Sequence, residues 1–229
     1  MRNLRLVMLV AALLALSAPG LAHAGGKPAP PHSSAGGATL SAWLADWWTT
    51  IVTAPAATNP YTGGDQCVPL DKHTIGPFVL PPDQAPLTCT VKPGTRVLVT
   101  GANAECSDIE ADPFHAESLA EAIACAKAWI GNLTRHTLIV DGRRTDLLAG
   151  YGVATPYITA MLPPDNIFGV DPQPIHFAAF GYAALLSPLP PGRHVITVEQ
   201  VGQAEHGSPI SPTFSVTVVV QPGGRYPGG

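Results

Sequence analysis

Phe214-Ser215-Val216-Thr217-Val218-Val219-Val220 is the stretch that decides the fold. Successive side chains of an extended chain point to opposite faces, so Phe214, Val216, Val218 and Val220 share one side and Ser215 and Thr217 the other. Its Val and Thr residues suit a pleated, half-buried surface. The same pattern recurs upstream at 77–80, 87–91, 96–100, 136–140, 182–186 and 194–198, in short β-branched runs bounded by Gly, Pro or Asp. Many short strands with little helix between them predict a mainly β fold, an antiparallel β-sandwich.

Two segments break this period. Ser41-Ala-Trp-Leu-Ala-Asp-Trp-Trp-Thr-Thr-Ile-Val52 places Leu40, Leu44, Trp47 or Trp48, and Ile51 at helical spacing. Thr39 or Ser41 can cap this helix and Pro55 ends it. Its tryptophans read as a hydrophobic anchor against a sheet, with a sugar-stacking platform as the sharper alternative. A second helix is expected over 117–130, with a stripe of Leu119, Ile123, Ala126 and Ile130 and with Glu117 and Glu121 complementing its dipole. Two short helices on the connections of the sandwich follow.

The composition agrees. Of 229 residues 46% are hydrophobic and only 12% charged, which excludes a charged disordered chain. Gly (23) and Pro (25) make up about a fifth of the chain, which implies many turns and excludes long coiled coils.

Arg2 and Arg5 precede an apolar run at 6–16, and Ala22-His23-Ala24 supplies small residues for a peptidase. Residues 1–24 therefore read as a secretory signal peptide, the run being too short to span a membrane. Residues 25–37 (GGKPAPPHSSAGG) read as a flexible leader and 221–229 as a flexible tail around one domain at 38–220. Loss of 1–24 removes two Arg and no acid, which leaves a net charge of −6. That balance disfavours nucleic acid and anionic lipid as partners. The expected location is exported, periplasmic or extracellular.

All four cysteines, Cys67, Cys89, Cys106 and Cys125, lie in the exported part. An even count in an oxidising compartment predicts two disulfides. Of three pairings, Cys67–Cys89 and Cys106–Cys125 close the short loops and are favoured. A Cys₄ zinc site is disfavoured because no Cys-x-x-Cys occurs.

Four stretches carry a resemblance when taken in order: Trp43-Leu-Ala-Asp-Trp-Trp48; Cys89-Thr-Val-Lys-Pro-Gly94 with Asn103-Ala-Glu-Cys106 and Cys125; Leu162-Pro-Pro-Asp-Asn-Ile-Phe-Gly169; and the run from Gly181 through Leu189-Pro-Pro-Gly-Arg-His194 to Ile196. Together they resemble an uncharacterised family of small exported bacterial proteins. The resemblance implies a compact export-compartment domain, supports the favoured cysteine pairing and transfers no catalytic role.

No Gly-x-Ser-x-Gly elbow, His-Glu-x-x-His, phosphate loop or dinucleotide fingerprint is present. The informative cluster is acidic: Asn103, Glu105, Asp108, Glu110, Asp112, His115, Glu117 and Glu121 fall within nineteen residues and hold six of the sixteen acids. Asp108-x-Glu110-x-Asp112 alternates oxygen ligands like the start of a Ca²⁺ loop, but Pro113 stands where an EF-hand needs Gly. Alternatively, Glu105 with Asp108 or Glu110 could form the carboxyl pair of a glycan-directed hydrolase. The plainest reading is a solvated loop leading into an acid-capped helix. Asn166, in a Pro- and Gly-bounded turn, is a candidate ligand contact. Two functions are thus carried forward: a domain binding a glycan, a protein or a cell-envelope component, and a hydrolase using the 103–117 loop.

Overall fold

The computed structural model describes residues 25–78, 87–203 and 213–223. The expected signal peptide at 1–24, part of the 77–80 run, the Glu205-His206 loop and most of the 221–229 tail lie outside the described residues.

In chain order the described elements are α1 (Leu40–Thr53), β1 (Cys67–Pro69), β2 (Thr74–Pro77), β3 (Leu87–Val91), β4 (Arg96–Ser107), α2 (Leu119–Ile130), β5 (Asn132–Val140), β6 (Arg143–Asp146), β7 (Gly152–Ala154), β8 (Ile158–Met161), β9 (Pro174–Leu186), β10 (Gly192–Gln203) and β11 (Thr213–Val220). One sheet runs β1-β2-β4-β9-β7, with β8 also on β9; the other runs β3-β11-β10-β5-β6. The fold is mainly β, with two packed sheets, two helices and two disulfides, as the strand pattern implies. The shared core takes Val97, Val99 and Leu186 from the first sheet and Leu138, Ile196, Val198, Val216 and Val218 from the second.

The sandwich is not purely antiparallel. β2 pairs with β4, and β3 with β11, in parallel. The chain leaves the first sheet at β2, contributes β3 to the second and returns at β4, so β2 and β4 are not joined by a hairpin. Only hairpin partners must run antiparallel. β5 and β6 are such partners: their two-residue turn, Asp141-Gly142, has both φ angles positive, at 48° and 83°.

α1 precedes the first strand rather than lying on a connection. Thr39 caps it by accepting from the Ala42 amide at 3.2 Å. It buries Leu40, Trp43, Leu44, Trp47, Ile51 and Val52. The indole of Trp43 donates to the Ala35 carbonyl and that of Trp47 to the Gly76 carbonyl, at 2.8 and 3.0 Å. Both rings therefore serve the core rather than a ligand platform.

α2 starts two residues later than expected. Ser118 caps it, and the Glu121 carboxylate accepts from the Glu117 amide at 2.9 Å. Its buried face is Ala122, Ala126 and Ile130, while Leu119 is 44% exposed. The expected stripe is thus corrected: small side chains let the helix lie close to the sheet, and Leu119 sits in its first turn, beside the solvated acids. Cys106–Cys125 clamps α2 to β4, and Cys67–Cys89 joins the edge strands β1 and β3 of the two sheets.

Residues 25–38 differ from the expected loose leader. Pro28 bridges to Leu186, the Ala29 amide donates to Leu185, and Ala35 pairs with Ala38. They extend the edge of the core through backbone hydrogen bonds, which composition alone does not signal.

Candidate functional site

β4 is the strand on which both sheets' arrangement turns. β2 pairs with it only at Arg96 and Val97, and β11 pairs with β10 only as far as Glu199. Beyond those points β4 and β10 each lose their outer neighbour among the described residues, save a short bridge between Ser107 and His115. A cavity of about 240 Å³ lies there, lined by residues 102–104 of β4, Gln200 of β10, Phe114, and Trp129 and Ile130 at the end of α2. Phe114 and Trp129 stack at 4.2 Å with their planes 9° apart. Among the described residues that line it, no side chain is charged.

The polar groups at this cavity are unevenly satisfied. The Asn103 side chain donates to the Gly101 carbonyl at 2.7 Å. Gln200 is 6% exposed, and its Oε1 is enclosed with no hydrogen-bond partner. His136 stands opposite Gln200 in the β5–β10 register and is fully buried. Its Nε2 accepts from the Ala102 amide at 3.4 Å, its ring meets Tyr182 edge-on, and Nδ1 has no partner. Burial pushes its pKa down to about 4, against a small opposing pull from Asp146, so the ring is neutral at pH 7.

The acidic residues lie across the strand from this cavity. Alternation along β4 sends Ala104 and Cys106 to α2, and Glu105 and Ser107 to the opposite face. Val52 of α1 packs on that opposite face with Ile175 and Phe177 of β9, whereas Ala178 serves the α2 side. Burial, then the Glu110 carboxylate beside it, holds the Glu105 pKa well above the usual range. Its Oε2 is enclosed without a geometric hydrogen-bond partner. Burial raises Glu110 too, though Ser107 Oγ donates to its carboxylate at 2.9 Å and opposes the shift.

The remaining candidates are structurally engaged. Asp108 accepts from the His176 amide at 2.9 Å and meets its Nδ1 at 2.7 Å. His115 contacts the Glu110 carbonyl at 3.0 Å and Glu117 at 3.5 Å; the carbonyl, then Glu117, raises its pKa. Asp112 is exposed. Among the described residues no three His, Cys, Asp or Glu side chains gather to hold a metal ion. The expected Ca²⁺ set of Asp108, Glu110 and Asp112 is therefore not assembled: Asp108 is turned to β9 and Glu110 to Ser107. Asn166 is corrected as well. At 5% exposure its amide donates to Pro163 and Val170 while its carbonyl accepts from Phe168 and Val170, so it closes its own loop and has nothing left for a ligand.

Sequence reasoning put Asn103 and Glu105 in a loop, whereas β4 runs on to Ser107 and carries both, and it missed Gln200, Trp129 and the cavity. The signal that was available is Gln200 itself: it continues the inward face of Ile196 and Val198, where a polar residue is out of pattern.

No family model and no curated protein matches this chain. Among solved structures it is similar to the cysteine protease inhibitor EhICP2 from Entamoeba histolytica, at 10% identity and a TM-score of 0.24, covering 65% of this chain and 95% of that one. A likeness so slight carries no inference. No helix among the described residues is long and apolar enough to cross a membrane.

Proposed function

We propose that this protein is an exported, non-catalytic binding domain and that its ligand enters the cavity between β4, β10 and the end of α2. Two disulfides suit an oxidising compartment. The ligand is a small molecule or the projecting end of a glycan, protein or other envelope component. The observation that carries this reading is the unpaired, enclosed Gln200 carbonyl in the wall of a 240 Å³ cavity. A buried acceptor left empty costs about 1–3 kcal/mol, and a ligand that fills it recovers that energy. The experiment is a thermal-unfolding screen of neutral monosaccharides, amino acids and envelope glycan fragments. The expected result is a rise in Tm that grows with ligand concentration and disappears in Ala104→Leu, which fills the cavity.

The second reading is a glycan-directed hydrolase. It is supported by one carboxyl, Glu105, whose pKa burial and then the neighbouring Glu110 raise well above the usual range. Loss of hydrolysis of envelope glycans in both Glu105→Gln and Glu110→Gln, with melting preserved, would favour it over the binding reading.

A further inference from the structure

The 108–116 loop ties the two faces of β4 together. It leaves β4 at Ser107 and returns to it: the Ser107 amide donates to the Phe114 carbonyl at 3.2 Å, and the Ala116 amide to the Ser107 carbonyl at 2.8 Å. Ser107 is fully buried, and its hydroxyl donates to Glu110. One residue thus holds Glu110, beside Glu105, and the backbone of Phe114, whose ring stacks on Trp129 in the cavity wall.

Glu105 and Glu110 are the part of this closure that can be switched. Their carboxyls lie within hydrogen-bonding contact of each other. That contact needs a proton, because two carboxylates offer only acceptors and repel. Among the described residues no cation acts on either carboxyl. α1, β8 and β9 bring Val52, Ile158, Ile175 and Phe177 to this side. The one acid of α1, Asp46, answers to Asp71 instead. β8 has no ionisable residue; on β9, His176 is held by Asp108 and Tyr182 lies against His136. In the loop itself, His115 meets the Glu110 backbone and Glu117, and Asp112 acts on His115.

Resting on the cavity as the binding site, we infer that Glu105 and Glu110 form a proton-operated latch: a proton shared between the two carboxyls holds the 108–116 loop shut, and its loss frees the loop, withdraws Phe114 from Trp129 and takes down one wall of the cavity. Ligand is held in acid and released as the pH rises. The direction follows from the raised Glu105 pKa. From 4.5 upward the open loop releases a proton that the closed loop retains, so opening gains roughly tenfold per pH unit and levels off once the closed pair has ionised. His115, raised above 6.5 by the Glu110 carbonyl and then by Glu117, adds in the same direction at higher pH.

The test follows amide exchange and the Trp129 indole signal in the full chain between about pH 4.5 and 8, with no ligand present. At each pH the wild-type exchange rate at Ser107 and Ala116 is divided by that of Glu105→Gln, whose neutral amide still donates to Glu110. The division removes the intrinsic pH dependence of exchange. The ratio should climb roughly tenfold per pH unit before it levels. Both amides should also exchange faster than Val216 and Val218 of β11, which makes the opening local. The indole signal, assigned with Trp129→Phe, should move with pH towards its position in Phe114→Ala, and should stay fixed in Glu105→Gln. His115→Gln should keep the rise. A flat ratio would overturn the latch. So would exchange at Ser107 and Ala116 no faster than in β11, or a rise lost in His115→Gln. A rising ratio with an unmoved indole would cut the latch off from the cavity and overturn the inference as well. No ligand enters these measurements, so a silent ligand screen beside an intact pH response would remove the binding reading and leave the latch.

Discussion

Gly101 exists to make room for His136: a Cβ built on Gly101 would stand 2.1 Å from His136 Nε2. No real side chain tolerates that approach, and the imidazole is fixed by the Ala102 amide and by Tyr182. The glycine lies where the β4–β9 register slips between Thr100 and Asn103, so the irregularity, the glycine and the buried histidine form one unit. Gly101→Ala should destabilise the protein by about 1–3 kcal/mol through overpacking. In a double-mutant cycle with His136→Ala the two losses should fall short of additive, since the second change removes the obstacle to the first. Strict additivity in denaturant melts would refute the coupling.

His136 also sets a pH dependence. Its folded pKa is lowered from the ordinary 6.5 to about 4, so between those values the unfolded chain binds a proton that the folded chain refuses. Stability must then rise with pH across that window and be lost as pH falls from 6.5 towards 4. A shift of this size corresponds to on the order of 3 kcal/mol. Measured as wild type minus His136→Leu, the difference in unfolding free energy should be steepest between pH 4 and 6.5 and flat above 7. A flat difference throughout would mean that the ring titrates normally.

The strands were legible because side-chain alternation is local. Phe214 to Val220 needs no partner to announce which face is buried, and β11 spans Thr213–Val220. Both disulfides were legible for a similar reason, since short loops favour their closure. Strand order was not, because the parallel neighbours β2 and β4 are brought together by a crossing through the other sheet. The acidic loop drew attention by density alone, yet Asp108 is consumed by His176, sixty-eight residues away, which no local pattern reveals. The cavity depends on where β2 and β11 stop pairing, a property of two sheets at once. Only the polar Gln200 in an apolar stripe betrayed it.

α2 should depend on its disulfide more than its length suggests. Its inward face is mostly alanine, which buries little apolar area, so Cys106–Cys125 supplies much of what holds it to β4. Replacing both cysteines by Ser should cost about 2–5 kcal/mol. Amide exchange should accelerate first in residues 119–130 and leave β10 and β11 protected. Uniform acceleration through both sheets would show that the bridge supports the whole sandwich instead.

Trp47 should be the largest single contributor from α1. It is 2% exposed, stacks on Phe78 at 5.5 Å and donates to Gly76, whereas Trp48 is only half-buried. Trp47→Ala should cost about 3–5 kcal/mol through lost burial and the cavity left behind. Trp48→Ala should cost less. Equal melting temperatures for Trp47→Ala and wild type, with glycan binding lost, would reinstate the stacking platform.

Glu105 carries the opposite pH signature to His136. Its pKa is raised above the ordinary 4.5 by burial and then by Glu110, so over the interval above 4.5 the folded chain holds a proton that the unfolded chain releases. The linkage sign is therefore negative: stability is lost as pH rises from 4.5 towards the folded pKa. Gln has the shape of a neutral carboxyl and does not ionise. Glu105→Gln should match wild type at pH 4 and exceed it in unfolding free energy at pH 8, with the gap opening monotonically between. The same variant separates the two functional readings. In a binding domain the stabilised protein keeps its ligand response, because Glu105 lies across β4 from the cavity. In a hydrolase it gains stability and loses turnover together, the signature of a carboxyl kept protonated for chemistry at the expense of the fold. A Glu105→Gln protein less stable than wild type at pH 8 would contradict the raised pKa and remove the support for the carboxyl pair.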